Sequence, residues 1–288
     1  MTRVVFFFLL LSVCSQAYAQ KIDSTGRRID STTQVHLQAT SKGHIMWHDF
    51  KESVYDGGQY IERPLHWNLR EWLIIGTVGG VTALFTGVDD NIARGFFQRN
   101  QSSVGDAIAT VGNFYGSGIP TIITGLGLYG IGLETDNSKV RVMGRHVIQS
   151  FAYAGLTTTA IKILIGRERP FNGSGPDVFH GFSLKNAWNS LPSGHATVAC
   201  ALSSTLAAEI DNPYVTAGLY ALVGTTVFGR LYTDNHWLSD TFLGGVIGSV
   251  AGYWVAAEVE HYDTNQNSKE TGFVIEPGIG NITFAYRW

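Results

Sequence analysis

Six long apolar segments, near residues 72–88, 107–133, 147–165, 195–209, 214–229 and 239–257, constrain this chain more than any other feature. Each exceeds the ordinary length of a strand and is rich in Ala, Leu and Gly, so helix is the reading that length and composition support. Turn and charge signals separate them, as in Asp89-Asp90-Asn91, the run from Glu134 to Ser138, and Asp211-Asn212-Pro213. An all-α, up-and-down bundle follows. In such a bundle the end of the third helix, the start of the fourth, the end of the fifth and the start of the sixth lie on one face.

Chemistry-bearing residues sit at those four ends. His236 and Asp240 are four apart at the start of the sixth segment, a spacing that puts them on one helical face. The carboxylate then holds one ring nitrogen protonated and leaves the other free to attack, with histidine itself as the nucleophile. Arg230, just upstream, supplies a positive fork for an anion. Lys162 and Arg169, followed by the helix-stopping Pro170, close the third segment. Pro192-Ser193-Gly194-His195 opens the fourth with helix-start signals. A helix N-terminus offers free amides and a positive dipole end to a phosphate, and His195 stands over that position as a candidate general acid. Taken singly, Lys162 reads as a snorkelling cap, Arg169 as a surface charge and His195 as a satisfied histidine. As an ordered set they point to a phosphate site.

The patterns K-x6-R-P, P-S-G-H and R-x5-H-x3-D together resemble the signature of the type 2 phosphatidic acid phosphatase family. Its superfamily also holds the bacterial class A acid phosphatases and the vanadium-dependent haloperoxidases. The resemblance spans roughly residues 70 to 258 and implies a six-helix core bundle of the acid phosphatase/vanadium haloperoxidase type. It also implies a mechanism. His236 attacks phosphorus in line and forms a phosphohistidine, Asp240 fixes its tautomer, and His195 protonates the leaving oxygen and then activates water. Lys162, Arg169, Arg230, Ser193 and the Gly194 amide hold the non-bridging oxygens. No metal or other cofactor is implied, since the three cations supply the positive charge. One departure stands out: the family ordinarily has serine before the arginine of the third motif, and here Gly229 occupies that position. Arg167 has no place in the motifs and reads as a structural or rim charge, and Asp177 and His180 as loop residues near the entrance or the surface.

The rest of the chain frames that domain. Residues 1–19 read as a secretory signal, with Arg3 as the charged start, Val4 to Val13 as the apolar core and Ala17-Tyr18-Ala19 as the cleavage site. Cys14 opens a lipoprotein alternative, against which the bulky Val13 counts, and an uncleaved anchor is a third reading. Cleavage leaves Cys200 as the sole cysteine, mid-helix among alanines, where it reads as a small buried hydrophobe. Residues 20–68 form a polar N-terminal arm, expected to be partly disordered at first and to pack on the bundle near Trp67 and Trp72. Its His36, His44, His48 and His66 lack metal-ligand spacing. Residues 69–260 make the helical domain, and 261–288 a tail in which Phe273 to Glu276 and Ile282 to Trp288 suggest a short β-hairpin.

A net charge of -3 gives no basis for a nucleic-acid partner. Several apolar segments are shorter than the roughly 20 residues a spanning helix needs. With the arm outside, six full spans would also bring Lys162 to the cytoplasmic side. The expectation is an exported protein of the cell envelope, periplasmic or membrane-associated, with an extracytoplasmic site. The expected substrate is a lipid phosphate such as a phosphatidate or a polyprenyl pyrophosphate. The alternatives are a vanadium-dependent haloperoxidase and a non-catalytic protein that binds anionic lipid.

Overall fold

The computed structural model describes residues 41–265, 272–278 and 281–287. The expected signal segment 1–19 and the start of the arm lie outside the described residues. The described chain is mostly α-helical, and several helices begin where a side chain satisfies orphan amides, as at Asn68, Ser102, Asn137, Ser193 and Asn212. Helix α1 spans Lys42–Glu62 and is followed by a 3₁₀ turn, Arg63–His66. Helix α2, Leu69–Val88, starts with a reciprocal cap. Asn68 Oδ1 accepts from the Arg70 and Glu71 amides at 2.9 and 3.2 Å, while Glu71 Oε2 accepts from the Asn68 amide at 2.8 Å. The chain continues through a π-helical stretch, Asp89–Arg94, into the short α3, Gly95–Arg99.

The expected second segment, 107–133, is two helices rather than one. Helix α4 spans Ser103–Tyr115 and α5 spans Ile119–Glu134, bent by 46° at the break between them. Gly118 takes φ 90, a left-handed conformation, and Pro120 brings no amide to continue the ladder. Helices α6 (Ser138–Ile165), α7 (Gly194–Ile210), α8 (Pro213–Tyr232) and α9 (Leu238–Asn265) complete the helical part.

Helix α7 is the central element. It packs on α6, α8 and α9, and Ala196, Ala199, Ala201, Leu202 and Thr205 along it are all buried. Close helix contact requires missing side chains at several crossings, of which two stand for the rest. A Cβ at Gly112 of α4 would stand 2.0 Å from the Thr225 carbonyl oxygen of α8, and one at Gly248 of α9 would stand 2.1 Å from that of Thr197.

The second half of the expected polar arm is helical. In α1 the polar side faces inward: Arg145 Nη1 donates to Asp49 Oδ1 at 3.1 Å, and Gln149 Nε2 donates to Asp56 Oδ2 at 2.9 Å. Trp47, Phe50 and Val54 of α1 are exposed. Trp67 and Trp72 do meet, edge to face at 5.1 Å.

Among the described residues, two helices, Leu69–Val88 and Ser138–Ile165, are long and apolar enough to cross a membrane, and the bent pair α4–α5 makes a third if counted as one span. Past α9, strands β1 (Gly272–Gly278) and β2 (Asn281–Arg287) pair antiparallel, with Val274 opposite Ala285.

Candidate functional site

The ends of α6 and α8 and the starts of α7 and α9 are stitched together by main-chain hydrogen bonds. Helix α6 stops at Gly166, whose φ of 61 suits glycine and whose amide closes on the Lys162 carbonyl at 2.9 Å. The loop beyond folds back on itself. Glu168 N donates to Val178 O, Arg169 N to Ala187 O and Ser190 N to Arg167 O, each at 2.9 Å. Ser193 N then donates to the Asp240 carbonyl at 2.9 Å, joining the start of α7 to the start of α9. At the end of α8, the Asn235 and His236 amides both donate to Arg230 O, at 3.1 and 3.3 Å.

His236 therefore lies just ahead of α9 rather than within it, yet its spacing from Asp240 still brings the two side chains together. His236 Nδ1 is 3.3 Å from Asp240 Oδ2. A carboxylate there requires the Nδ1–H form, so the lone pair sits on Nε2. Asp240 is fully buried and is met from every side. The Trp237 amide donates to Oδ2 at 2.9 Å, the Ser190 hydroxyl donates to the same oxygen, and Arg167 Nη1 donates to Oδ1 at 2.7 Å. Burial opposes ionisation, but the hydrogen bond from His236 and the Arg167 charge hold the carboxyl below its ordinary value. Burial also pushes His236 down to about 3, against the pull of Asp240, so the imidazole is neutral across the physiological range.

Arg167 is the residue that reading the motifs placed least well. It is no rim charge: it is 1% exposed. Besides Asp240 it donates to Ser239 Oγ at 2.6 Å, to Asp89 Oδ2 at 3.0 Å and to the Pro176 carbonyl at 2.8 Å. Asp89, read from the sequence as a turn residue, is equally buried and accepts the Ser239 amide at 3.0 Å. Arg167 thus links two buried carboxylates, one of which orients His236. Its position between a helix-ending glycine and the motif arginine was the only signal, and it did not name these partners.

The three motif cations surround the mouth of α7. Lys162 Nζ donates to the Asn189 and Ser190 carbonyls at 2.6 and 3.3 Å, and a Cβ built on Gly194 would lie 3.9 Å from Lys162 Cε. Arg169 is held by Asn186, with Nε on its carbonyl at 2.9 Å and Nη2 on its Oδ1 at 3.0 Å. Arg230 Nη1 donates to Asn113 Oδ1 at 2.9 Å, and its buried Nε has no partner among the described residues. These cations converge on His195. Burial first, then the charges of Arg230, Arg169 and Lys162, depress its imidazole to about 4. Ser193 is fully buried, and its hydroxyl caps α7 by accepting from the Ala196 amide at 3.5 Å. A helix leaves its first amides without an internal acceptor, and Gly194 stands at that position.

Other sequence candidates fall elsewhere. His180 pairs with Glu168 at 3.0 Å and stacks on Trp188 at 3.7 Å between ring centres, a loop-building role. His48, Asp49 and Glu52 approach one another on α1, but Arg145 pairs with both carboxylates and Arg141 with Asp49.

Residues 144–261 match the family model described as the PAP2 superfamily. The motif resemblance is thereby shown over that segment, which contains Lys162, Arg169, Ser193, Gly194, His195, Arg230, His236 and Asp240. The match begins within α6, so the helices ahead of it, which the motif reading took in from about residue 70, lie outside it. No curated protein matches the chain. Similar solved structures include the following two. The crystal structure of Aquifex aeolicus LpxE shares 18% identity over 58% of this chain and 94% of its own, with a TM-score of 0.45. That of a transmembrane PAP2 type phosphatidylglycerolphosphate phosphatase from Bacillus subtilis shares 16% over 67% of this chain and 96% of its own, with a TM-score of 0.46.

Proposed function

We propose that this PAP2 superfamily chain is a metal-independent phosphatase that hydrolyses a phosphomonoester or pyrophosphate of a lipid through a phosphohistidine on His236. The observation that carries the reading is the buried, neutral His236, held by Asp240 at 3.3 Å, beside a mouth lined by Lys162, Arg169 and Arg230.

In the proposed reaction, His236 Nε2 donates its lone pair to phosphorus while the bond to the leaving oxygen breaks, and His195 gives that oxygen a proton. The developing imidazolium is stabilised by Asp240, whose own charge is steadied by Arg167. His195, now neutral, takes a proton from water as the water oxygen attacks phosphorus. The P–N bond breaks, phosphate leaves and neutral His236 returns. Lys162, Arg169, Arg230, Ser193 and the Gly194 amide hold the non-bridging oxygens, where charge accumulates.

A lipid substrate is supported by the exposed apolar side chains on α2, α4 and α5, among them Leu73, Ile74, Ile108, Val111, Ile122 and Ile123. We read the protein as exported to the cell envelope with its site outside the cytoplasm. A six-helix core of the acid phosphatase type and a C-terminal hairpin belong to the same reading.

Phosphate release from a panel of lipid phosphates and soluble phosphomonoesters, in detergent with EDTA, tests it beside His236→Ala. Release that persists in EDTA, disappears in the variant and is fastest on a lipid is expected, with an alkali-stable phosphoenzyme in a rapid quench. Vanadate-dependent bromide oxidation without phosphate release would replace the reading with a haloperoxidase.

A further inference from the structure

The family's third motif ordinarily has a serine at the position of Gly229, and the structure accounts for the exchange. A Cβ at Gly229 would stand 2.9 Å from the Ala109 carbonyl oxygen, 3.2 Å from Ala109 Cα and 3.1 Å from Asn113 Oδ1. Helix α4 occupies the space a side chain would need, and it brings Asn113 there. Asn113 Oδ1 accepts from Arg230 Nη1 at 2.9 Å. A guanidinium only donates, so the amide oxygen must face it and the Nδ2 group, with two N–H donors, must point elsewhere. That nitrogen has no hydrogen-bond partner among the described residues, and it is not sealed from solvent. One turn further along α4, Gly116 meets the other histidine: a Cβ there would lie 2.9 Å from both His195 Cβ and His195 O. The C-terminal end of α4 and the Gly116 that caps it therefore touch both Arg230 and His195, with an unused donor pair at Asn113.

We propose that Asn113 is a phosphate-binding residue, its Oδ1 fixing Arg230 and its Nδ2 donating to a non-bridging phosphoryl oxygen, in the part that serine takes elsewhere in the family. The proposal rests on the phosphatase reading above. It concerns a residue that lies outside the three motifs and outside residues 144–261.

The test uses the full chain in detergent and two readouts: calorimetric binding of inorganic phosphate, and kcat and KM on the preferred substrate. Asn113→Asp keeps the size of the side chain and an acceptor for Arg230 but replaces the donor with a negative charge. Asn113→Ala removes both contacts. Asn113→Asp is expected to keep the wild-type Tm to within a few degrees while weakening phosphate binding and kcat/KM by more than about tenfold, the range set by one hydrogen bond to a charged group. Asn113→Ala is expected to lose about tenfold in both, with His236→Ala as the control that still binds phosphate and no longer releases it. Wild-type phosphate affinity and kcat/KM in Asn113→Asp would overturn the proposal and leave the phosphatase reading standing. Collapse of the fold in both Asn113 variants would assign the residue to packing and overturn it too. A wild-type chain that neither binds nor releases phosphate would remove the phosphatase reading and this inference together.

Discussion

Arg167→Met is the most informative single perturbation of the buried network. Methionine approximates the length of the arginine stem and fills the same apolar volume, so the change is mainly one of charge and hydrogen bonding. Four donated bonds disappear: to Asp240 at 2.7 Å, Ser239 at 2.6 Å, Asp89 at 3.0 Å and the Pro176 carbonyl at 2.8 Å. Asp89 and Asp240, both fully buried, are left facing the same vacated space without their cation. Removing one partner of a buried pair costs about 3–5 kcal/mol, because the remaining charge is stranded. For a domain of this size a loss of 1 kcal/mol lowers Tm by roughly 2–4 °C, so a fall of about 6–20 °C is expected. A second consequence is functional. Asp240 escapes the stranded state by taking a proton, and a neutral carboxyl no longer stabilises an imidazolium at His236. Turnover is then expected to drop by about 10³-fold or more, with KM changed far less, since Lys162, Arg169 and Arg230, the proposed phosphate ligands, are untouched. Thermal unfolding in detergent and steady-state phosphate release read the two effects. Adding Asp89→Asn to Arg167→Met removes one stranded charge and is expected to restore part of the stability but not the turnover. Wild-type Tm and wild-type kcat in Arg167→Met would refute this account of how the nucleophile is held.

Two further outcomes follow from other parts of the structure. In the proposed reaction His195 must carry a proton to serve the leaving oxygen, and burial with three neighbouring cations depresses its imidazole to about 4. The fraction protonated in the free protein, and with it kcat/KM, is therefore expected to decline as pH rises above that value, giving an alkaline limb below the ordinary histidine value of about 6.5. Arg169→Gln removes one depressing charge and should shift the limb upward; a pH series that places the wild-type limb at 7 or above would contradict it. Gly112→Ala puts a methyl 2.0 Å from the Thr225 carbonyl oxygen, where backbone must move, so α4 and α8 separate and the chain loses about 1–3 kcal/mol. The same substitution at Gly127, where nothing lies within 4 Å, is expected to leave Tm unchanged or raise it slightly, and equal Tm values for the two variants would contradict the packing argument.

The motif residues were legible because they stand at helix ends or, like Arg169 and His236, just outside them, and consecutive antiparallel helices bring such ends together whatever their separation in sequence. The supporting residues were not. Arg167 meets Asp240 and Asp89 across 73 and 78 positions, and nothing local to Asp89 separates it from a solvated turn aspartate. Asn113 lies in α4 on the same polar spacing as Ser103, Asp106 and Thr110, which reads as a solvated stripe and names no partner. The break between α4 and α5 was written in Gly116-Ser117-Gly118-Ile119-Pro120, but the apolar character on both sides masked it. Helix α1 was missed for a different reason. Reading polarity as exposure assumes that a helix turns its apolar face inward, whereas α1 turns Asp49 and Asp56 toward Arg145 and Gln149 of α6 and leaves Trp47, Phe50 and Val54 outside. The polar residues inside α6 were the trace of that inversion.

The ties among Ser193, Asp240, Ser190, Arg167, Asn235 and Arg230 run from amide to carbonyl. The peptide units lay down that spacing, and the side-chain bonds of Arg167 and Ser190 to Asp240 reinforce it. The two histidines therefore ride on a frame whose dimensions are indifferent to what the helices display on their outer walls. Those walls are free to be lengthened, tilted or repainted for bilayers of another thickness or lipids of another tail, while the separation between His236 and His195 stays put. A chain built this way can change its surroundings without retuning its chemistry.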